Sequence, residues 1–190
     1  MHDTRVEFMV DEVDYPVLYG TTQATWGPID LHFELLTGEV DPDRIARVFV
    51  VPFIGTACVV VGFEHGDWGP AGAGLEPGES FQAALERELA EEAGGRLLSY
   101  TPFAVLRCHS RAAGPYRPHE PHPDYDCLYG YGDVELVGPP QLLDGPERTV
   151  AVEVMPPDQA VSFLTSKGRA WDADLYRLAA ERRAAATQPP

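Results

Sequence analysis

Three carboxylates dominate the chemistry this sequence can offer. Glu88, Glu91 and Glu92 stand at i, i+3 and i+4 in the run Glu86-Arg87-Glu88-Leu89-Ala90-Glu91-Glu92-Ala93-Gly94. At 3.6 residues per turn, that spacing puts all three on one helix face. Like charges so placed repel by about 0.2–0.5 kcal/mol per pair. From Glu76 to Glu92 there are six acids and one base, Arg87. A cluster that unfavourable calls for a cation. Its donors are all oxygens, with no His or Cys beside them, which suits Mg²⁺, Mn²⁺ or Ca²⁺ better than zinc. Mg²⁺ shares its shell with waters and substrate phosphates. A carboxylate nearby can act as base toward such a water. The plainer use of three Glu is a solvated acidic face, so the preceding loop carries weight.

That loop reads Trp68-Gly69-Pro70-Ala71-Gly72-Ala73-Gly74-Leu75-Glu76-Pro77-Gly78-Glu79. Together, residues 73–95 resemble the Nudix box, G-x5-E-x7-R-E-U-x-E-E-x-G-U, where U is bulky and apolar. Glu79 fits the first acid, seven residues follow, and Arg87 to Gly94 fit without a gap. Two positions depart. The first Gly falls on Ala73, between Gly72 and Gly74, which predicts a restricted turn there. The last apolar position falls on Gly95, which predicts a shifted helix end and a strand starting at Leu97-Leu98.

The resemblance implies a loop–helix–loop that holds divalent metal, Mg²⁺ with Mn²⁺ as the alternative, against a diphosphate. By similarity Glu91 and Glu92 are metal ligands, and Glu88 is a ligand or the general base. Glu79 and Arg87 brace loop and helix, and the Gly72 carbonyl completes the metal shell. Some relatives use an extra Glu from a later loop. Glu147 lies in a comparable place, with Glu120, Glu135 and Glu153 as competitors. The implied reaction is water attack on phosphorus in a nucleoside diphosphate linked to another moiety. The alternative is a Nudix-like nucleotide-binding or regulatory module without turnover, which loss of box carboxylates would favour; here all are present. An isoprenoid-diphosphate isomerase would need a Cys and a further Glu over an alkene, and nothing around the box provides that context.

Substrate contacts are sought in Arg107 and in the loop 109–124, which holds Arg111, Tyr116, Arg117, His119 and His122. Arg pairs with phosphate and Tyr stacks on bases. His119-Glu120-Pro121-His122 has metal-type side chains, but Pro121 breaks any helix that would align the two rings.

These residues need elements to position them. Ser80 is a helix N-cap and Gly94-Gly95 a stop, so a helix spans 80–93. Leu85, Leu89 and Ala93 form its apolar stripe. The runs 47–53 and 57–63 are apolar at nearly every position and read as neighbouring strands buried on both faces. Further strands are expected at 97–108, 125–137 and 149–154, and helices at 158–164 and 170–183, followed by a frayed tail. In the acidic segment 1–43, Val17-Leu18-Tyr19 and 31–36 read as short strands separated by turn formers. The predicted fold is α/β, a Nudix-type α/β/α sandwich on a mixed sheet with a small N-terminal β extension. The expected division is 1–43 extension, 44–166 hydrolase domain and 167–190 helix and tail. Trp68 reads as core, and Trp26 with the 1–43 segment as a homodimer surface.

The chain has 190 residues, a hydrophobic fraction of 44% and a formal net charge of −16. That composition supports a packed core. The charge disfavours nucleic acid polymers and anionic membranes as partners, but not a phosphorylated small molecule bound through a cation. The three scattered cysteines suggest no disulfide framework, and neither an apolar leader nor a run approaching ~20 apolar residues is present. A cytoplasmic location is expected. Cys58 reads as a small core residue.

Overall fold

Two β-branched runs form the centre of the molecule. In the computed structural model, which describes residues 13–141 and 148–187, they are β2 (Ile45–Ile54) and β3 (Ala57–Phe63). Cys58 and Val60 of β3 point into one core cluster and Val59 and Val61 into the other. Burial on both faces explains the unbroken apolar pattern.

The sheet runs β1 (Ile29–Leu35), β7 (Thr101–Ser110), β8 (Asp124–Leu136), β2, β3 and β4 (Trp68–Gly69). β5 (Ala71–Gly74) adds to β2, β6 (Gly95–Leu97) to β8, and β9 (Thr149–Met155) to β3. β2 and β8 are parallel and the other pairs antiparallel, so the sheet is mixed. β3 meets β2 only at Phe53 and Ile54, whereas Arg47 to Val50 pair with β5. The strands diverge, and the start of the glycine-rich loop occupies the opening.

On one face lies α2 (Phe81–Glu88), continued by a π turn at Leu89–Ala93. Ala84, Leu85, Leu89 and Ala93 pack on Val48, Val50, Val59, Val61 and Leu128. Burying each Leu contributes about 1.5–3 kcal/mol. On the other face lie α1 (Pro16–Gly20), α3 (Pro157–Ser166) and α4 (Ala170–Thr187). In α4, Asp172, Leu175, Tyr176 and Ala179 are buried at i, i+3, i+4 and i+7, the spacing of one helical stripe. The expected α/β/α sandwich is therefore the observed architecture.

Four local expectations are corrected. Val17-Leu18-Tyr19 lie in α1, not a strand; Pro16 begins the helix and Leu18 is fully buried. The expected strand at 97–108 is two strands, because both β6 and β7 pair with β8 at different heights and the chain must cross between them at 98–100. The strand after the helix begins at Gly95, not at Leu97. The last helix continues to Thr187, because Ala184, Ala185 and Ala186 are strong helix formers. The expected strand at 31–36 is β1, an edge strand paired with β7.

Candidate active site

Ser80 caps α2, its Oγ accepting from the Ala83 N–H at 3.2 Å. The helix ends at Gly94, whose φ of 63 is the left-handed value that favours glycine. A Cβ there would meet the Gly138 carbonyl oxygen at 2.1 Å. The π turn before it carries Glu91 and Glu92, and such turns often mark functional positions.

Arg87 organises the acids. Its Nε and Nη2 donate to the two oxygens of Glu79, each at 2.9 Å. Its Nη1 donates to Glu88 and stands 3.5 Å from Glu91 Oε2. The Glu76 N–H donates to Glu79 at 2.9 Å, tying loop to helix. This bidentate pairing holds the Glu79 carboxyl below its ordinary range and raises Arg87 above its own.

Glu92 faces the other way. Its Oε2 accepts from the Gly72 N–H at 2.9 Å, locking the helix to β5. Gly72 has φ 142, and a Cβ on it would meet the Val48 carbonyl oxygen at 2.1 Å. Ala73 has no positive φ, since no non-glycine among the described residues does. Gly72 thus takes the special backbone geometry, and Ala73 in the first box position restricts nothing.

Glu88 and Glu92 are buried, 6% and 4% exposed, and Glu91 is half-buried. One Arg offsets four acids. Among the described residues no three acidic, His or Cys side chains stand gathered as a ready-made cation site. Glu88 and Glu91 are turned toward Arg87, and Glu92 toward Gly72. The donor set still fits a hard divalent ion: all oxygens, two of the carboxylates buried, and a local negative excess.

Beside the box opens a cavity of about 510 Å³, within the ~300–1,000 Å³ of ordinary ligand sites. Gly72, Ala73 and Glu92 are among its lining residues. Its walls are aromatic. Phe49 stacks on Tyr129 with centroids 5.0 Å apart, and Tyr129 meets Trp171 at 5.2 Å. Cross-strand register explains this: Gly72 on β5 faces Phe49 on β2, which faces Tyr129 on β8. Asp172, also in the lining, is buried and accepts from Arg169 Nε at 2.8 Å, while Arg169 Nη1 pairs with Asp67 at 2.8 Å. Burial pushes the Asp172 carboxyl up to about 6, against the pull of Arg169.

The other expected residues lie elsewhere. Arg107 pairs with Glu34 and Asp126, and Arg111 with Asp30 at 3.5 Å. Tyr116 is 82% exposed under Arg47 at 5.8 Å, and Arg117 lies by Gly74. None of these four lines the cavity. Their loop does cover the box: His119 Nε2 is 2.8 Å from the Leu75 carbonyl. His122 bonds the Ala112 carbonyl, so the two rings serve different partners. Glu120 is buried 3.8 Å from Arg47; Glu135 is exposed beside Arg96, and Glu153 is exposed on β9. Glu147 lies outside the described residues. Trp68 packs edge-on to Phe163 at 4.8 Å and also lines the cavity; Cys58 is fully buried. Phe49, Tyr129, Arg169, Trp171 and Asp172 escaped the sequence reading. The only signal was an Asp on the buried stripe of α4.

The NUDIX domain profile matches residues 34–179. No curated protein sequence matches the chain. Among solved structures, a Nudix hydrolase from Nitrosomonas europaea superposes with a TM-score of 0.52 at 20% identity, covering 77% of this chain and 93% of its own. A mutant of the Bacillus subtilis pyrophosphohydrolase BsRppH gives 0.51 at 16% identity, covering 70% and 75%. These structures share the fold, the profile spans most of the chain, and the box keeps every carboxylate: the chain belongs to the Nudix hydrolase family.

Proposed function

We propose that this protein hydrolyses the diphosphate linkage of a nucleoside diphosphate joined to another moiety, with a divalent metal ion, Mg²⁺ or Mn²⁺. The supporting observation is that Glu92 and Gly72, joined by a hydrogen bond where the helix meets β5, both line a cavity large enough for a nucleotide.

In this reading Glu91, Glu92 and the Gly72 carbonyl hold the ion, and Glu88 either joins them or takes a proton. A divalent ion held by these residues would supply charge to offset the phosphate oxygens and acidify the attacking water. Glu88 accepts the proton as water oxygen bonds to phosphorus and the bridging P–O bond breaks. The Glu79–Arg87 pair keeps Glu88 and the loop in place and touches no substrate. Arg107, Arg111, Tyr116 and Arg117 are the candidate substrate contacts of this reading, and Glu147 is its further candidate metal ligand. The same reading has the protein act in the cytoplasm as a homodimer, which light scattering would show. No described helix is long and apolar enough to cross a membrane.

A panel of dinucleotides, nucleotide sugars and nucleoside triphosphates with Mg²⁺ tests the reading. Monophosphate or phosphate release from at least one member, abolished by chelator, is expected. Tight nucleotide binding without turnover would instead favour the binding module.

A further inference from the structure

A half-buried guanidinium that donates to nothing is costly, because its charge has left part of its water behind. Arg44, Arg87, Arg107 and Arg169 each donate to a carboxylate. Arg47 and Arg117 are half-buried too, yet neither side chain donates a hydrogen bond among the described residues. Arg47 Nη2 stops 3.8 Å from Glu120 Oε1, beyond hydrogen-bond reach. That carboxylate oxygen is itself buried without a hydrogen bond. Arg47 lines the cavity beside the box.

The two arginines converge at Gly74. Arg47 on β2 is the cross-strand partner of Gly74 on β5. Opposite residues of an antiparallel pair project to one face, so a side chain on Gly74 would lie alongside Arg47. Arg117 takes that place: its Nη1 lies 3.2 Å and its Cζ 3.7 Å from where the Cβ would be. The loop that delivers Arg117 is fixed to the box, with His119 Nε2 2.8 Å from the Leu75 carbonyl. From the same loop the Tyr116 ring lies 5.8 Å from the Arg47 guanidinium. Glu120 offsets one of the two positive charges. Gly72, whose N–H holds Glu92, is two residues along β5 from Gly74, about 7 Å by strand rise. Paired N–H donors on planar guanidinium groups match the oxygens of a phosphate.

We propose that Arg47 and Arg117 form a phosphate clamp beside Gly74, holding a phosphate of the ligand that the metal ion does not hold. The assignment rests on the reading of the box as the diphosphate site, because Gly72 and Gly74 belong to one short strand. Glu120 is the counter-charge that the phosphate displaces from Arg47. The ligand class is a polyphosphate, free or carried by a nucleoside.

The clamp needs no metal, so the test uses full-length protein in chelator, titrated calorimetrically with inorganic pyrophosphate. The wild type should bind it. Arg117→Ala, on a surface loop, should weaken binding at least tenfold, and Arg47→Ala likewise, with thermal melts confirming that both variants fold. Glu120→Gln keeps the shape and removes the competing charge, so it should tighten binding at least threefold, a gain that a purely structural role does not produce. Arg96→Ala deletes the same charge from an exposed pair with Glu135 and should change binding less than twofold. No binding by the wild type, equal weakening by Arg96→Ala and Arg117→Ala, or no tightening by Glu120→Gln would overturn the proposal. For a substrate turned over in Mg²⁺, Arg117→Ala should raise KM at least tenfold and leave kcat within threefold. Metal-dependent turnover with KM unmoved by Arg117→Ala would keep the hydrolase reading and remove the clamp. Pyrophosphate binding that needs both arginines, without turnover of any substrate, would do the reverse.

Discussion

Replacing Asp172 by Asn should stabilise the protein at neutral pH. The Asp172 carboxyl is buried among aromatic rings, and burial outweighs Arg169, lifting it from 3.8 to about 6. Raising a carboxyl this way means that the fold prefers the protonated form. The contribution to stability is full below about 3.8 and is lost as pH rises through about 6. The difference corresponds to roughly 3 kcal/mol at pH 8. Asn mimics the neutral form at every pH. Any fixed cost of the amide cancels when the wild-type and variant gap is compared across pH, so the pH-dependent part is the clean quantity. Urea denaturation at pH 4.5 and pH 8 should show the gap moving in favour of Asp172→Asn by about 2 kcal/mol. At ~2–4 °C per kcal/mol for a chain this size, thermal melts should shift accordingly. Arg169 and Asp67 are the charged neighbours, and they stay in both proteins. A gap that stays constant, or moves toward the wild type as pH rises, would show that the fold favours the ionised carboxylate and refute the reasoning.

Three other changes test the frame around the site. Gly72→Ala would set a Cβ 2.1 Å from the Val48 carbonyl oxygen and 2.7 Å from Phe49 Cα at a φ of 142; a loss of at least ~3 kcal/mol is expected in denaturant melts. Arg87→Ala leaves Glu79 without both of its bidentate bonds and should cost about 2–4 kcal/mol. Glu79 titrates low because Arg87 holds it charged, so its stabilisation is present at neutral pH and lost as acid protonates it; the variant should lack that part of the acid transition. Tyr176→Phe removes a buried hydroxyl that donates to the Val59 carbonyl at 2.7 Å, for about 1 kcal/mol in the same melts.

The box was legible because its logic is local. Ser80, the Leu85–Leu89–Ala93 stripe and Gly94 act within one helix, and the structure uses each at that position. Strands β2 and β3 were legible because burial on both faces leaves an unbroken apolar run. The cavity was not, because its walls come from segments far apart in sequence. Phe49 meets Tyr129 only through the parallel pairing of β2 with β8, and Trp171 arrives on a helix from the other layer. Local composition also misled at Val17-Leu18-Tyr19, where Pro16 starts a helix from residues that would equally suit a strand. The arginines near the 109–124 loop drew notice as phosphate partners, yet Arg107 and Arg111 have strand carboxylates beside them in space that spacing along the chain does not reveal.

The most direct test of the central claim is turnover of the best panel substrate in Mg²⁺ by the wild type and by the folded double variant Glu91→Gln plus Glu92→Gln. Removing both charges should eliminate metal-dependent release of monophosphate or phosphate, a loss of at least about a thousandfold. Release that survives the double change would contradict the assignment of the metal to these carboxylates.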